Sequence, residues 1–222
     1  MTCPNKNCLN KMIHNKTVDY TLYLATDRPL LQGRDLFKVV EEAVRGGVTV
    51  VQLREKEASS QEFYNIALRM KQLTNKYGVP LIINDRLDIM LAVDADGLHL
   101  GQDDLPLPVA RKLIGPGKIL GWSVSDSEKA REGEKLGADY LGAGAVFATG
   151  TKTDAGKPIG LEELGKIKNS VRIPVVGIGG INEKNITRVK DTGVDGVCVI
   201  SAILAKDDAT KASRELSDLW NG

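Results

Sequence analysis

Two hydrophobic periods take turns along the chain. Short apolar runs rich in β-branched residues read as buried strands: Tyr20–Ala25, Val48–Arg54, Pro80–Ile83, Gly97–Leu100, Ile119–Trp122, Asp139–Ala143, Ile173–Ile178 and Gly196–Ile200. Between them apolar residues recur at helical spacing. Leu36, Val39, Val40, Ala43 and Val44 share one helix face, stopped by Gly46-Gly47. Phe63, Ile66, Met70, Leu73 and Tyr77 share the next, opened by a Ser59/Glu62 capping box and ended by Gly78. A short helix is expected from Arg86 to Val93 and another from Pro106 or Pro108. The remaining helices follow a Ser125/Glu128 box, carry Leu161, Leu164 and Ile167, start at Asn182 and stop at Gly193, and carry Ala209, Ala212, Leu216 and Leu219.

Eight strand-then-helix units follow one another without a domain linker. Regular alternation of this kind requires a parallel sheet. The pattern fits an α/β single-domain (β/α)8 TIM barrel over residues 19–222, behind a flexible polar leader at 1–18. A doubly wound open sheet is the alternative. No G-x-G-x-x-G follows the first strand, which weighs against its dinucleotide-binding form. Val93-Asp94-Ala95-Asp96-Gly97-Leu98, Gly137-Ala138-Asp139-Tyr140-Leu141 and Gly193-Val194-Asp195-Gly196-Val197 echo one another.

Composition narrows the function classes. Lys plus Arg number 30 against 29 Asp plus Glu, so no bulk charge draws the chain to nucleic acid or a membrane surface. Aromatics at 5% are too sparse for a base-stacking surface. No apolar run reaches the roughly 20 residues of a membrane span, and the start has no signal-peptide core, so a cytoplasmic protein is the default. Cys198 reads as a core filler. Cys3, Cys8 and His14 give three candidate ligands where structural zinc usually takes four, and a floppy leader is the better reading.

In a barrel, chemistry collects at the C-terminal strand ends. The second strand ends in Gln52-Leu53-Arg54-Glu55-Lys56, where alternation puts Gln52, Arg54 and Lys56 on one face. Fixed cations and an amide there suit a diphosphate and a hydrogen-bonding ring; ion pairing with nearby carboxylates is the alternative. Asn84, Asp85, Gln102, Asp103, Asp104, Ser123, Thr149, Gly150, Thr151 and Lys152 also fall on this rim. Asp85 and Asp104 suit a shared magnesium ion, which takes few carboxylates plus substrate phosphates, although Asp85 also suits a helix N-cap. Arg54, Lys56 and Lys152 would balance the remaining phosphate charge. Gly179-Gly180 and Ile200-Ser201 follow strands seven and eight, where barrels often bind phosphate. Two phosphate signals on one rim suggest two phosphorylated substrates, or one carrying phosphates at both ends. His99 reads as a packed barrel histidine. No Ser-His-Asp or Cys-His set is assembled.

These motifs, in this order, resemble the thiamin phosphate synthase family over nearly the whole chain after about Asp19. The stretches that carry the resemblance are Gln52–Lys56, Ile83–Asp85, His99–Asp104, Thr149–Lys152, Val176–Ile181 and Ile200–Ile203. The resemblance implies a magnesium-dependent transferase. It joins 4-amino-5-hydroxymethyl-2-methylpyrimidine diphosphate to 4-methyl-5-(2-hydroxyethyl)thiazole phosphate and releases pyrophosphate. It further implies that Gln52, Leu53, Arg54, Glu55, Lys56, Asn84, Ser123 and Lys152 hold the pyrimidine diphosphate. By the same resemblance, Arg54, Lys56, Ser123 and Lys152 would carry catalysis. Thr149, Gly150, Thr151, Gly180, Ile200 and Ser201 would hold the thiazole phosphate, and Asp85 and Asp104 would bind Mg2+.

A sister group, the thiazole tautomerases, lacks the aspartate matching Asp85 and carries a histidine where this chain has Ser125. Both differences favour the synthase. A non-catalytic phosphate-ligand sensor would not need both aspartates and three cations, and a sugar-phosphate isomerase or aldolase would need a buried base. Two departures stand out. Ala145 and Ala148 replace prolines usual in the family, which predicts a more mobile loop. Trp122 is bulkier than expected and either narrows the pyrimidine pocket or fills the barrel. A homo-oligomer is left open by the sequence.

Overall fold

The computed structural model describes residues 18–150 and 157–222. All of the expected leader but Val18, including Cys3, Cys8 and His14, lies outside the described residues, as do Thr151 and Lys152. The eight strands are β1 (Leu22–Ala25), β2 (Val50–Leu53), β3 (Leu81–Asn84), β4 (Gly97–Leu100), β5 (Ile119–Val124), β6 (Tyr140–Gly144), β7 (Val175–Ile178) and β8 (Gly196–Val199). They pair in parallel in chain order, and β8 closes on β1. The closed barrel replaces the open-sheet alternative.

Helices α1 (Leu36–Arg45), α2 (Ser60–Tyr77), α3 (Leu87–Ala92), α4 (Leu107–Ile114), α5 (Ser127–Lys135), α6 (Gly160–Ser170) and α7 (Ile186–Lys190) alternate with the strands, and α8 (Ser201–Leu204) and α9 (Ala209–Asn221) follow β8. Among the described residues, no helix is long and apolar enough to cross a membrane. Ser59 caps α2 as expected, its side chain accepting from Glu62 N. Two caps differ from expectation. Asp126, not Ser125, opens α5 and accepts from Lys129 N, because β5 runs on to Val124 and the helix starts later. Asn182 forms a local turn instead, its Oδ1 accepting from Lys184 N at 2.9 Å, and α7 begins only after Asn185.

Strand alternation divides the core in two. Tyr23, Ala25, Val50, Ile82, Tyr140, Val176 and Cys198 pack inside the barrel. Val51, Leu53, Ile83, Leu98, Leu141 and Val197 face outward against apolar helix positions such as Val40, Phe63, Ala67 and Leu164. Burial pushes the Cys198 thiol up to about 12, in keeping with a core filler.

The sequence echoes mark one repeated device. Asp96 Oδ2 accepts from Leu81 N at 2.8 Å and Lys71 Nζ at 2.6 Å. Asp139 Oδ2 accepts from Leu120 N at 2.7 Å and Arg111 Nη2 at 2.5 Å. Asp195 Oδ2 accepts from Val175 N at 2.7 Å and Lys168 Nζ at 2.6 Å. Each carboxylate accepts from an N–H at the start of the preceding strand, the first residue of β3 and β7 and the second of β5, and pairs with a cation of the helix before that strand. The device sits at the N-terminal end of the barrel, the end associated with stability, and leaves the opposite rim to chemistry.

Candidate active site

At the C-terminal rim, alternation decides which residues turn inward. Gln52 shares the inner face of β2 with Val50, while the side chain of Leu53 is fully buried in the outer layer. β2 ends at Leu53, so alternation no longer governs the next three residues. Arg54 N donates to Thr26 Oγ1 at 3.0 Å, and its guanidinium lies 3.7 Å from the Asp27 carboxylate. Glu55 pairs instead with Arg28 Nε at 2.8 Å and its side chain is only 4% exposed. Burial pushes its carboxyl up, opposed by the Arg28 charge. Lys56 is exposed on the rim.

Asn84 ends β3 on the inner face, in register with His99 of β4. Asp85 follows at φ +61, and its N–H donates to His99 O at 2.9 Å. That left-handed conformation is one that aspartate tolerates better than most side chains. The N-cap of α3 is Arg86, so Asp85 is not the helix cap that its position in the sequence suits. Asp104 is exposed, with Oδ2 accepting from Gly101 N at 2.7 Å, and the N-cap of α4 is Pro106. Both carboxylates therefore stand at the ends of neighbouring strands, outside the helix caps. Among the described residues no group of three or more His, Cys, Asp or Glu gathers as a metal site. Two hard oxygen donors on one rim are the donor type magnesium takes, since that ion usually keeps several water or phosphate ligands as well.

The inner face carries a hydrogen-bonded chain. Gln52 Nε2 donates to Tyr23 Oη at 2.9 Å. Tyr23 Oη lies 2.8 Å from Tyr140 Oη, which lies 2.8 Å from His99 Nδ1. His99 Nε2 lies 2.9 Å from Ser123 Oγ. The chain crosses the barrel from β2 to β5 through β1, β6 and β4. Gly121 makes room for it, since a Cβ there would strike the Tyr140 ring. His99 is thus packed inside the barrel, as expected, and also joins Ser123 to the far wall. Tyr23 and Tyr140 did not stand out from the sequence. The available signal was a tyrosine at an inward strand position, because a buried hydroxyl requires a partner.

Trp122 alternates with inward Ser123 and so points outward. Its Nε1 donates to Gly101 O at 3.2 Å and its ring packs beside Gly133 of α5. It neither narrows a pocket at the mouth nor fills the barrel. Gln102 Nε2 donates to Ser123 O at 2.6 Å and ties the β4 loop to β5.

On the opposite side of the rim the loops after β6 and β7 are joined. Val146 N donates to Ile178 O at 2.8 Å and Phe147 N to Gly179 O at 3.0 Å. Ile159 N donates to Ala145 O at 2.8 Å and Gly160 N to Val146 O at 3.1 Å, which closes the loop's stem. Ala145 is buried in that stem, whereas Ala148 is exposed. Thr149 is half-buried and Gly150 exposed. Gly179 and Gly180 have φ +100 and +67, and Gly180 O accepts from Asn185 Nδ2 at 2.9 Å. Ile200 and Ser201 follow β8, the neighbour of β7, with Ser201 exposed at the first turn of α8. The structure therefore groups Gln52, Asn84 and Ser123 inside the mouth, and Thr149, Gly150, Gly180, Ile200 and Ser201 on the side formed by β6 to β8.

The comparisons agree with this geometry. The family model described as thiamine monophosphate synthase matches residues 22–203. A thiamine-phosphate synthase of Desulfitobacterium hafniense (strain Y51) is 58% identical over 203 residues, covering 91% of this chain and 98% of the relative. One from Clostridium tetani is 56% identical over 209 residues, covering 94% of this chain and 100% of the relative. The solved thiamine phosphate pyrophosphorylase from Pyrococcus furiosus superposes with a TM-score of 0.85 at 48% identity, covering 92% of this chain and 96% of that one. With the barrel, the rim and these likenesses in agreement, the chain belongs to the thiamine monophosphate synthase family.

Proposed function

We propose that the chain is a thiamine-phosphate synthase, joining 4-amino-5-hydroxymethyl-2-methylpyrimidine diphosphate to 4-methyl-5-(2-hydroxyethyl)thiazole phosphate and releasing pyrophosphate. One observation carries the reading: the family match spans residues 22–203, all eight strands and the whole rim. Gln52, Asn84 and Ser123 offer the pyrimidine ring hydrogen bonds from inside the mouth. Leu53 and Glu55 turn their side chains to other partners, so their contribution to that site is through the backbone. Arg54, Lys56 and Lys152 take the diphosphate charge. Thr149, Gly150, Thr151, Gly180, Ile200 and Ser201 receive the thiazole phosphate, for which exposed backbone N–H groups near a glycine turn are suited.

Asp85 and Asp104 would hold magnesium, whose Lewis-acid charge would offset that of the leaving diphosphate. In the step itself the methylene C–O bond breaks and pyrophosphate departs with the electron pair. The aminopyrimidine spreads the positive charge left on the methylene carbon. The thiazole nitrogen lone pair then forms the new C–N bond. No proton moves in that step, so a protein base is not needed. The protein positions the two rings and fixes cations where negative charge grows.

The test is incubation of the purified protein with both phosphorylated substrates, with and without magnesium, followed by detection of thiamin phosphate and pyrophosphate. Magnesium-dependent formation of both in equal amounts is expected. No product from protein that still binds either substrate would overturn the reading in favour of a sensor or a tautomerase.

A further inference from the structure

The chain Gln52–Tyr23–Tyr140–His99–Ser123 has a direction, and counting hydrogens gives it. Gln52 Nε2 is a donor, so Tyr23 Oη accepts from it. Tyr23 is 1% exposed, and among the described residues its only other hydroxyl neighbour is Tyr140, so its single hydrogen goes to Tyr140 Oη. Tyr140 is likewise 1% exposed, so its hydrogen goes to His99 Nδ1. Nδ1 is then the acceptor nitrogen and Nε2 carries the proton, which it donates to Ser123 Oγ. An imidazolium would leave the Tyr140 hydrogen buried without an acceptor, at the cost of a lost hydrogen bond. Burial raises both tyrosine hydroxyls well above their ordinary range, so both keep their hydrogens.

The direction fixes what the two ends present. Ser123 Oγ accepts from His99, which leaves its own hydrogen to donate into the mouth. Gln52 spends one N–H on Tyr23 and keeps its second N–H and Oε1. A ring edge with an amino group beside a bare ring nitrogen matches this pair. An oxo group beside a ring N–H matches only a flipped amide. Flipping would set Oε1 against the Tyr23 oxygen unless the whole chain reversed, with His99 changing tautomer and Ser123 withdrawing its hydrogen from the mouth.

We propose that Tyr23, Tyr140 and His99 are positioning residues that set the donor and acceptor sense of Gln52 and Ser123 together, and that this sense selects a 4-aminopyrimidine diphosphate over its 4-oxo counterpart. The selectivity rests on the synthase reading; the direction of the chain does not.

Two measurements test the two parts. The protein has two histidines, so ¹⁵N NMR on a His14→Asn background reports His99 alone. A neutral ring with proton-free Nδ1 and protonated Nε2 is expected, and Tyr140→Phe should erase that strict preference. A ring protonated at Nδ1 alone, or at both nitrogens, overturns the direction. Steady-state kinetics then compare the amino and oxo pyrimidine diphosphates. Tyr140→Phe should lower the amino-over-oxo ratio of kcat/KM by about tenfold, the worth of one mis-set hydrogen bond, while KM for the thiazole phosphate holds. A ratio equal to that of the native protein, with both substrates slowed alike, overturns the selectivity. Tyr23→Phe serves if Tyr140→Phe does not fold. No turnover of either pyrimidine by the native protein refutes the synthase reading. Calorimetric binding of the two free pyrimidines then judges the selectivity, with equal affinities overturning it, and NMR still judges the direction.

Discussion

Gly180→Ala is the sharpest probe of the phosphate side of the rim. Gly180 holds φ +67, where an alanine costs roughly 1–2 kcal/mol. Its new Cβ would lie 2.7 Å from Ala148 O and 2.8 Å from Phe147 Cβ. Both atoms belong to the β6 loop, which the Val146–Ile178 and Phe147–Gly179 hydrogen bonds hold against β7. Relief of the clash must separate these loops, at about another 1–3 kcal/mol for overpacking. The total of about 2–5 kcal/mol corresponds to a Tm fall of roughly 4–20 °C in a chain of this size. Gly78→Ala is the control, because Gly78 also has a positive φ, +66, yet nothing lies within 4 Å of its Cβ. It carries the conformational cost without the clash. Calorimetry and steady-state kinetics on both variants separate the terms. Gly180→Ala should lose clearly more Tm than Gly78→Ala and raise KM for the thiazole phosphate about tenfold, leaving that of the pyrimidine diphosphate within about twofold. Equal Tm losses in the two variants, with both KM values unchanged, would refute the claim that the joined loops build the thiazole phosphate site.

Asp85→Asn keeps a residue that tolerates the left-handed backbone, so Tm should hold while magnesium-dependent kcat/KM falls about a hundredfold, as loss of a metal ligand commonly does; undiminished activity in a magnesium titration would remove Asp85 from the metal site. Far from the rim, the Tyr77 hydroxyl and Lys76 hold the Glu41 carboxyl down at about 2, against an ordinary 4.5. A carboxyl depressed by folding stabilises above its ordinary pKa, and that contribution is lost as pH falls through the folded value. The Tm advantage of the native protein over Glu41→Gln should therefore be full above pH 4.5 and close as pH falls to about 2; a gap independent of pH would show that Glu41 acts through shape alone.

The amino-acid sequence by itself determined the elements and their order. Each strand is a run of neighbours with one buried period, and each helix carries its own stripe and caps, so Ser59, Gly46 and Gly78 are readable one segment at a time. The strand ends that make up the rim were readable too, because they are local features of the sequence. The aspartate echoes were visible as a pattern, but their purpose was not. Asp96, Asp139 and Asp195 act on strand starts and helix cations 15 to 28 residues away, which only the packed barrel brings together.

What tertiary structure alone decided is which inner faces meet. Tyr23 and Tyr140 are 117 residues apart, on strands that are not neighbours, and touch because closure folds the sheet onto itself. Trp122 lies outside and Ser123 inside because β5 runs on through Ser123 to Val124, so strand alternation still governs both side chains. Arg54 finds Asp27, and Glu55 finds Arg28, only once β1 lies beside β2. Periodicity along a chain encodes which side of an element is apolar. It does not encode which polar atoms on two inward sides come within 3 Å, because that distance is set by barrel closure and register, and a shift of one residue would turn every one of those side chains to the other face.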